Sequence, residues 1–169
     1  MYNWDTINSN WDTEYRVWNR IPMSYTTKLK NNMDQLIKVI NEAGLPSPIY
    51  WDFANGKGKN EFIWIDILPS AIESRFTGGT VRTYPFQINY YMTLAGDNKL
   101  KVLDVLSRRI DKLERTLNNN SHRTDSGTYY WHNGEVLDME LDSPLEDFED
   151  LSNLHVGRLD YEVLTLEVI

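Results

Sequence analysis

The chain has 169 residues, of which 41% are hydrophobic, and its formal net charge of −8 gives a pI near 4.8. This length predicts one domain with a substantial core, and the acidic balance argues against a general nucleic-acid binder, which needs a basic footprint. Cysteine is absent, which excludes disulfides and thiolate metal sites. No stretch approaches the length of a membrane span or a signal-peptide core, so we expect a soluble protein of the cytosol, or one assembled there.

Residues 1–22 are rich in tryptophan and repeat a short motif. Asn-Trp-Asp-Thr occurs at 3–6 and at 10–13, so that Trp4, Trp11 and Trp18 recur every seven residues. This spacing would line one stripe of a helix, but the many Asn, Asp, Ser and Thr residues favour an extended arm equally. The arm either packs on its own domain or buries its tryptophans on a neighbouring subunit, because aromatic residues are enriched at interface cores.

Two amphipathic helices are predicted from apolar residues that recur with helical spacing. The first covers about residues 27–43 and ends at Gly44, and the second begins at the cap Asp97 and ends near Leu117. The apolar stripes are Leu29, Met33, Leu36, Ile37 and Ile40 in the first helix, and Leu100, Leu103, Leu106, Ile110, Leu113 and Leu117 in the second.

The longest predicted strand is 81–94, VRTYPFQINYYMTL, preceded by shorter strands at 49–53 and 61–68 and a loop at 69–80. From Tyr84 to Leu94 its even positions are apolar or aromatic and its odd positions are mostly polar. This alternation predicts one face on the core and is typical of antiparallel sheets. Pro85 cannot donate to a strand ladder, so we expect a sheet edge or a bulge there.

In the C-terminal third of the chain, the sequence predicts a hairpin, a short helix and a final strand. Asn133-Gly134 is typical of a type I′ turn and would join strands at 128–132 and 135–141. A short helix follows at 144–151, and a phase shift in the last strand, 157–169, predicts a bulge. Together the elements predict an α+β domain over 23–169, a mostly antiparallel sheet packed against two amphipathic helices, with an N-terminal arm at 1–22.

No pattern in the sequence predicts an enzyme or a bound cofactor or metal. His122, His132 and His155 lack metal-ligand spacing, and His132 is expected to face Glu135 across the hairpin. The Gly-Lys-Gly-Lys run at 56–59 lacks the spacing of a phosphate loop, and no GxSxG elbow occurs.

Charged residues mark two candidate surfaces. The run from 138 to 150 is the richest carboxylate cluster and contains no Lys or His, which favours a solvated acidic surface over a metal site. Arg75 and Arg82 flank the loop that contains Gly78-Gly79, and together with the three tryptophans they are candidates for a subunit or partner interface. The candidate acidic surface consists of Asp138, Glu140, Glu146, Asp147, Glu149 and Asp150.

The order of the elements and several local patterns resemble the tail terminator proteins of long-tailed bacteriophages. The likeness is carried by TTKLKNNMDQLIKVINEAG and DNKLKVLDVLSRRIDKLERTL as helices, and by PIYWDF, EFIWIDILP, RTYPFQINYYMTL and GRLDYEVLTLEVI as strands. It covers about residues 25–169. The arm at 1–22 and the acidic insert near 142–152 depart from the family pattern.

The resemblance implies a structural virion protein of the tail or neck, assembled in the host cytoplasm. A homohexameric ring would sit on the last ring of the tail tube protein, stop its polymerisation and offer a docking surface to the connector or stopper protein of the filled head. Sheets would line the lumen, helices would lie outside, and the arm could clasp the next subunit. An acidic lumen would repel the phosphate backbone, so that DNA passes without specific binding.

Three alternatives remain open. The nearest is another connector of the same neck, an adaptor or a stopper. A metal-dependent hydrolase would use Asp66, a candidate buried acid in an apolar strand, with Asp138 or Glu140 in one pocket. A monomeric binding module would expose Trp4, Trp11 and Trp18 together in a groove.

Overall fold

The computed structural model describes residues 23–51, 56, 59–93, 99–125, 127–141 and 154–168. These residues have the predicted α+β fold, with two helices on a mostly antiparallel sheet. The helices are α1 (Met23–Glu42) and α2 (Lys99–Asn119). The strands are β1 (Ile49–Tyr50), β2 (Glu61–Ile67), β3 (Ala71–Phe76), β4 (Gly79–Thr93), β5 (Arg123–Asp125), β6 (Thr128–Trp131), β7 (Asn133–Leu141) and β8 (Leu154–Val168). The predicted arm at 1–22, the cap at Asp97 and the short helix at 144–151 lie outside the described residues.

The main sheet has six strands in the order β1-β2-β4-β8-β7, with β3 also paired to β4. The β1–β2 pair is parallel and all other neighbours are antiparallel. The central pair, β4 and β8, runs in unbroken register from Gly79 opposite Val168 to Thr93 opposite Leu154. Strands β5 and β6 form a separate two-stranded sheet.

The long predicted strand is confirmed as the centre of the sheet, and Pro85 does not lie at its edge. On one side β4 pairs with β8 throughout, whereas on the other side it pairs first with β2 and then with β3. Pro85 lies opposite the break between those two strands, where its carbonyl accepts a hydrogen bond from the Leu68 N–H at 3.1 Å. The missing proline donor therefore coincides with a gap in the partner strand, which is why a central strand tolerates it.

Residues 69–80 are not the predicted loop. Most of them form β3 and the start of β4, which are joined by a turn at Thr77-Gly78 with a φ of 99° at Gly78. All six residues of β3 are exposed, so no burial alternation marks the strand in the sequence.

The core lies between the helices and the face of the sheet that carries the even positions of β4. Leu36, Ile40, Leu106 and Ile110 from the helices are buried against Ile88 and its neighbours. Most of the predicted helical stripes are confirmed, but Leu100 is 74% exposed and Val102 is buried in the first turns of α2 instead. Within the described residues, neither helix has enough continuous apolar sequence to cross a membrane.

Asn133-Gly134 does not form the predicted hairpin. Strand β6 pairs with β5 through a turn at Gly127 (φ 82°), and β7 pairs with β8, so His132 does not face Glu135 across a turn. Gly134 is needed for a different reason. A Cβ atom at this position would lie 2.1 Å from the Tyr161 hydroxyl oxygen, so close packing requires the glycine.

The predicted bulge in the last strand is absent, because β8 keeps its register along β4. The odd positions of β8 stay on the helix side, where Thr165 and Glu167 are buried in place of apolar residues. Their polar atoms are satisfied. Thr165 accepts a hydrogen bond from Asn32 Nδ2 at 3.0 Å, and Glu167 accepts bonds from Tyr84 and Arg82.

Gly157 allows α2 to pack directly on β8. We expect the Gly157→Ala variant to lose about 1–3 kcal/mol of unfolding free energy, because the added methyl group overpacks this contact. A Cβ atom there would lie 2.5 Å from Ile110 Cγ1, in the packed core. Urea denaturation measures the loss.

The matched control is the same change in an Ile110→Ala background, which removes the clashing carbons. The alanine at 157 should then cost much less than in the wild type. Equal costs in the two backgrounds would contradict the steric explanation.

Candidate functional surface on the open face of the sheet

The candidate functional surface is the sheet face opposite the helices, here called the open face. Side chains on a strand alternate, so the odd positions of β4 and the residues registered with them point to this side. Its polar members in the described strands include Asp66, Glu73, Thr83, Gln87, Asn89, Glu135, Asp138, Glu140, Arg158, Asp160 and Glu162.

Carboxylates occupy successive rows across the open face. One row runs Asp66, Gln87, Asp160 and Asp138 across β2, β4, β8 and β7. The next places Glu162 opposite Glu135 on β8 and β7. Acidic side chains are thus neighbours across the strands, where like charges repel.

Arg158 is the single cation that the described strands direct to this face, against seven carboxylates. It contacts Glu140 at 3.5 Å and donates to Asn89 Oδ1 at 3.3 Å. Polar neighbours hold two other acids, since Gln87 Nε2 donates to Asp160 at 3.2 Å and the Thr83 hydroxyl donates to Glu73 at 2.9 Å. The open face is therefore strongly negative and fixed in geometry.

The pKa of the Glu162 carboxyl reflects the negative charge of the open face. Partial burial, and then the negative charges of Glu73 and Glu135, raise the pKa of the Glu162 carboxyl above its ordinary value of 4.5. Both charged neighbours lie on other strands, so the shift arises only in the folded sheet.

We expect Glu162→Gln to stabilise the fold near neutral pH and to have little effect at pH 4. A raised folded pKa means that the folded state binds the proton more tightly than the unfolded state, so the contribution of Glu162 to stability is full below pH 4.5 and is lost as the pH rises through the folded pKa. Thermal unfolding of both proteins from pH 4 to 8 measures this. A gain that is equal at all pH values would contradict the expectation.

A cluster of aromatic side chains lies at one end of the open face. Phe62 and Tyr91 stack with centroids 4.7 Å apart and pack with Val156. Burial raises the pKa of the Tyr91 hydroxyl to about 12, an effect reduced by Arg158 and reinforced by Asp66. The phenol is therefore neutral at physiological pH.

The structure separates the predicted interface residues. Trp4, Trp11 and Trp18 lie outside the described residues. Arg75 is exposed on β3. Arg82 lies within β4 on the helix side, 19% exposed, and pairs with Glu167 at 3.2 Å. The prediction that these two arginines flank a loop at 69–80 is therefore wrong, since Arg75 belongs to β3 and Arg82 to β4.

The predicted acidic surface is partly described. Asp138 and Glu140 are exposed on the open face, and Glu146, Asp147, Glu149 and Asp150 lie outside the described residues. Asp66 and Asp138 share a row but stand three strands apart, about 14 Å at a spacing near 4.8 Å per strand. They do not converge as the hydrolase alternative requires, and no metal-ligand group of three occurs in the part of the chain that the structure describes.

The sequence interpretation missed Glu73, Glu135, Asp160 and Glu162 as members of this surface. A signal was present for the last pair, because Asp160 and Glu162 alternate with Leu159, Tyr161 and Val163 in β8. The pairing of β7 with β8, which places Glu135 opposite Glu162 and Asp138 opposite Asp160, had no local signal in the sequence.

The opposite side of the molecule has a different charge. Arg108, Lys112 and Arg115, with Asp111, line a shallow hollow of about 230 Å³ on the outer surface of α2. The domain therefore has a negative sheet face and a more basic helix face.

The fold and this surface define an α+β domain with one sheet face covered by helices and one acidic sheet face. On the acidic face Asp138 and Glu140 are exposed, whereas Thr83, Asn89 and Tyr91 near its centre are buried. No protein-family model matches the chain, and comparison with curated proteins gives no significant match.

Proposed function

We propose that this protein is a tail terminator of a long-tailed bacteriophage, located in the tail or neck of the virion. Copies of the chain would form a ring, expected to be a hexamer, that caps the tail tube, stops its polymerisation and receives the head. The sequence resemblance over residues 25–169 is the origin of this proposal.

The acidic open face is the observation that carries the proposal. A protein that conducts DNA needs a wall that does not hold the phosphate backbone, and a field of carboxylates repels it. With the sheet facing the lumen and the helices outside, Asp66, Asp160 and Asp138 would form part of that wall. The mechanism is then assembly and repulsion rather than catalysis.

The strand edges supply a second argument. Strand β7 is mostly exposed, with Leu137 57% and Met139 41% exposed, and β3 is exposed at the other side of the sheet. Exposed apolar edge strands are hazards in a monomer, and pairing or covering removes them. A protein that functions in a closed ring has a use for both edges.

The decisive experiment mixes the purified full-length protein with polymerising tail tube protein. We expect tube growth to stop and electron micrographs to show one added ring at tube ends. Light scattering across a concentration series supplies the mass in solution. A monomer that still caps tubes supports the proposal, since the tube then templates the ring.

Two outcomes would overturn it. Uninhibited tube growth together with binding to the head connector would identify an adaptor or a stopper instead. A monomer that binds neither structure would exclude the neck altogether and leave the binding module as the better hypothesis.

A further inference from the structure

The hairpin formed by β3 and the start of β4 presents an exposed apolar surface. Ile72 and Phe76 of this hairpin are 39% and 48% exposed, and Ile67 at the end of the neighbouring strand β2 is 38% exposed. By their register Ile67 and Ile72 point to the helix side of the sheet, and Phe76 points to the open face. Among the described residues β3 pairs with β4 alone, so its other edge offers unpaired backbone groups. We call Ile67, Ile72 and Arg75, which point to the helix side, the hairpin surface.

The base of this hairpin is fixed rather than loose. Glu167 of β8 accepts hydrogen bonds from Thr80 and Arg82, both at 3.2 Å, and from Tyr84. Glu73 of β3 is bonded to Thr83 of β4 at 2.9 Å. A surface held in this way is pre-organised, so little conformational entropy is lost when a ligand binds it.

The chain before Met23 enters the described structure at this end of the sheet. Asn32 of α1 bonds Thr165, which lies opposite Arg82, whereas Ser47 after the helix bonds the Tyr90 hydroxyl at 2.5 Å. Helix α1 therefore runs away from the hairpin. Its nine residues before Asn32 reach back about 13 Å, to the level of the hairpin turn, which lies about 10 Å from Arg82 along β4.

The N-terminal segment has the matching chemistry. It offers Trp4, Trp11 and Trp18, and large aromatic anchors supply most of the affinity at protein contacts. Its first 15 residues contain three carboxylates and no Lys or Arg, and two of the tryptophans are followed directly by Asp. The hairpin surface has an exposed cation, Arg75, on the same side of β3 as the apolar Ile72.

We propose that the hairpin surface is the docking site for the N-terminal segment 1–22 of this chain. A tryptophan of an Asn-Trp-Asp-Thr repeat packs on Ile72, and the aspartate that follows it pairs with Arg75 on the same side of β3. The contact covers the exposed edge of β3. It does not depend on ring formation, because a segment from the same copy or from a neighbouring copy satisfies it.

Cysteine trapping tests the contact cleanly, since the natural chain contains no cysteine. The full-length Thr13→Cys/Ser74→Cys variant places one thiol beside Asp12 and the other on β3. The matched control, Thr13→Cys/Asn133→Cys, moves the second thiol to exposed Asn133 on the far edge. We expect the first pair to oxidise about tenfold or more faster, because docking raises the effective concentration of the thiols.

Hydrogen exchange provides a second measurement without engineered thiols. The triple Trp4→Ser/Trp11→Ser/Trp18→Ser variant should exchange the amides of β3 about tenfold or more faster than the wild type, with β7 unchanged. Equal oxidation of the two cysteine pairs, or unchanged exchange in β3, would overturn the inference. If the cysteine pair at 13 and 74 oxidises preferentially in a protein that never caps tail tubes, the contact is supported and the terminator proposal is rejected. If the protein caps tail tubes and this cysteine pair does not oxidise preferentially, the terminator proposal is supported and the contact is rejected.

Discussion

Replacing Trp131 by alanine is expected to lower the free energy of unfolding by about 3–5 kcal/mol, the range for large aromatic side chains in a core. Trp131 has no exposed surface and belongs to the main hydrophobic cluster. Its Nε1 donates to the Asn120 carbonyl at 2.9 Å, which ties the end of β6 to the residue after α2. The variant loses both the packing and that bond.

Urea denaturation followed by circular dichroism measures the effect, because the m-value reports whether unfolding stays two-state. Tyr129→Ala is the matched control on the same strand, where the side chain is 64% exposed, and we expect a change within about 0.5 kcal/mol. A loss below about 1 kcal/mol for Trp131→Ala would contradict the placement of this residue in the core.

If the protein is the tail terminator proposed above, reversing the charge of the open face should slow DNA exit from assembled particles about tenfold or more at low salt, because a basic channel wall binds phosphates and releases their counterions. The variant combines Asp66→Lys, Asp138→Lys, Asp160→Lys and Glu162→Lys. Raising the salt concentration should restore the rate, since non-specific binding to DNA weakens steeply with salt. Stopped-flow detection of released DNA with an intercalating dye measures the rate.

The control makes the same change in net charge on the helix side, with Asp34→Lys, Asp104→Lys, Asp111→Lys and Glu114→Lys. Particles with this variant should release DNA at the wild-type rate, because these positions would face away from the lumen. If both variants slow release equally, the open face does not line the channel. If neither does, the acidic surface has no part in DNA passage.

The helices and the long strand were predictable because each has a strong period within one segment. The apolar stripes of α1 and α2 repeat with helical spacing, and β4 alternates over most of its length. These three elements alone determine an α+β packing, since two apolar helix stripes need one apolar sheet face.

The errors arise where a local signal had another cause. Asn133-Gly134 is a good turn sequence, yet Gly134 is required by its approach to Tyr161, and the chain crosses between two sheets there. The phase shift in β8 indicated a bulge, but Thr165 and Glu167 are buried with partners from α1 and β4. Tertiary hydrogen bonds of this kind are invisible to periodicity.

The candidate surface was only half predictable for a similar reason. Asp138 and Glu140 could be assigned to an outer strand face from alternation alone. Their placement on the same sheet face as Asp160 and Asp66 depends on the strand order, in which β8 lies between β4 and β7. Strand order is set by contacts distant in sequence, which periodicity within one segment does not reveal.

The pairing of β4 with β8 also governs how fast this protein folds. The fifteen residue pairs of that ladder are separated by 61 to 89 positions in the sequence. The chain must therefore close long loops before the contacts of its central ladder can form. We expect folding to be slow, as it is for other proteins of high contact order. Before β8 pairs with it during folding, β4 exposes a long, aromatic-rich strand edge with which other chains can pair. Yield on refolding should therefore fall with protein concentration more steeply than the stability of the finished fold would suggest.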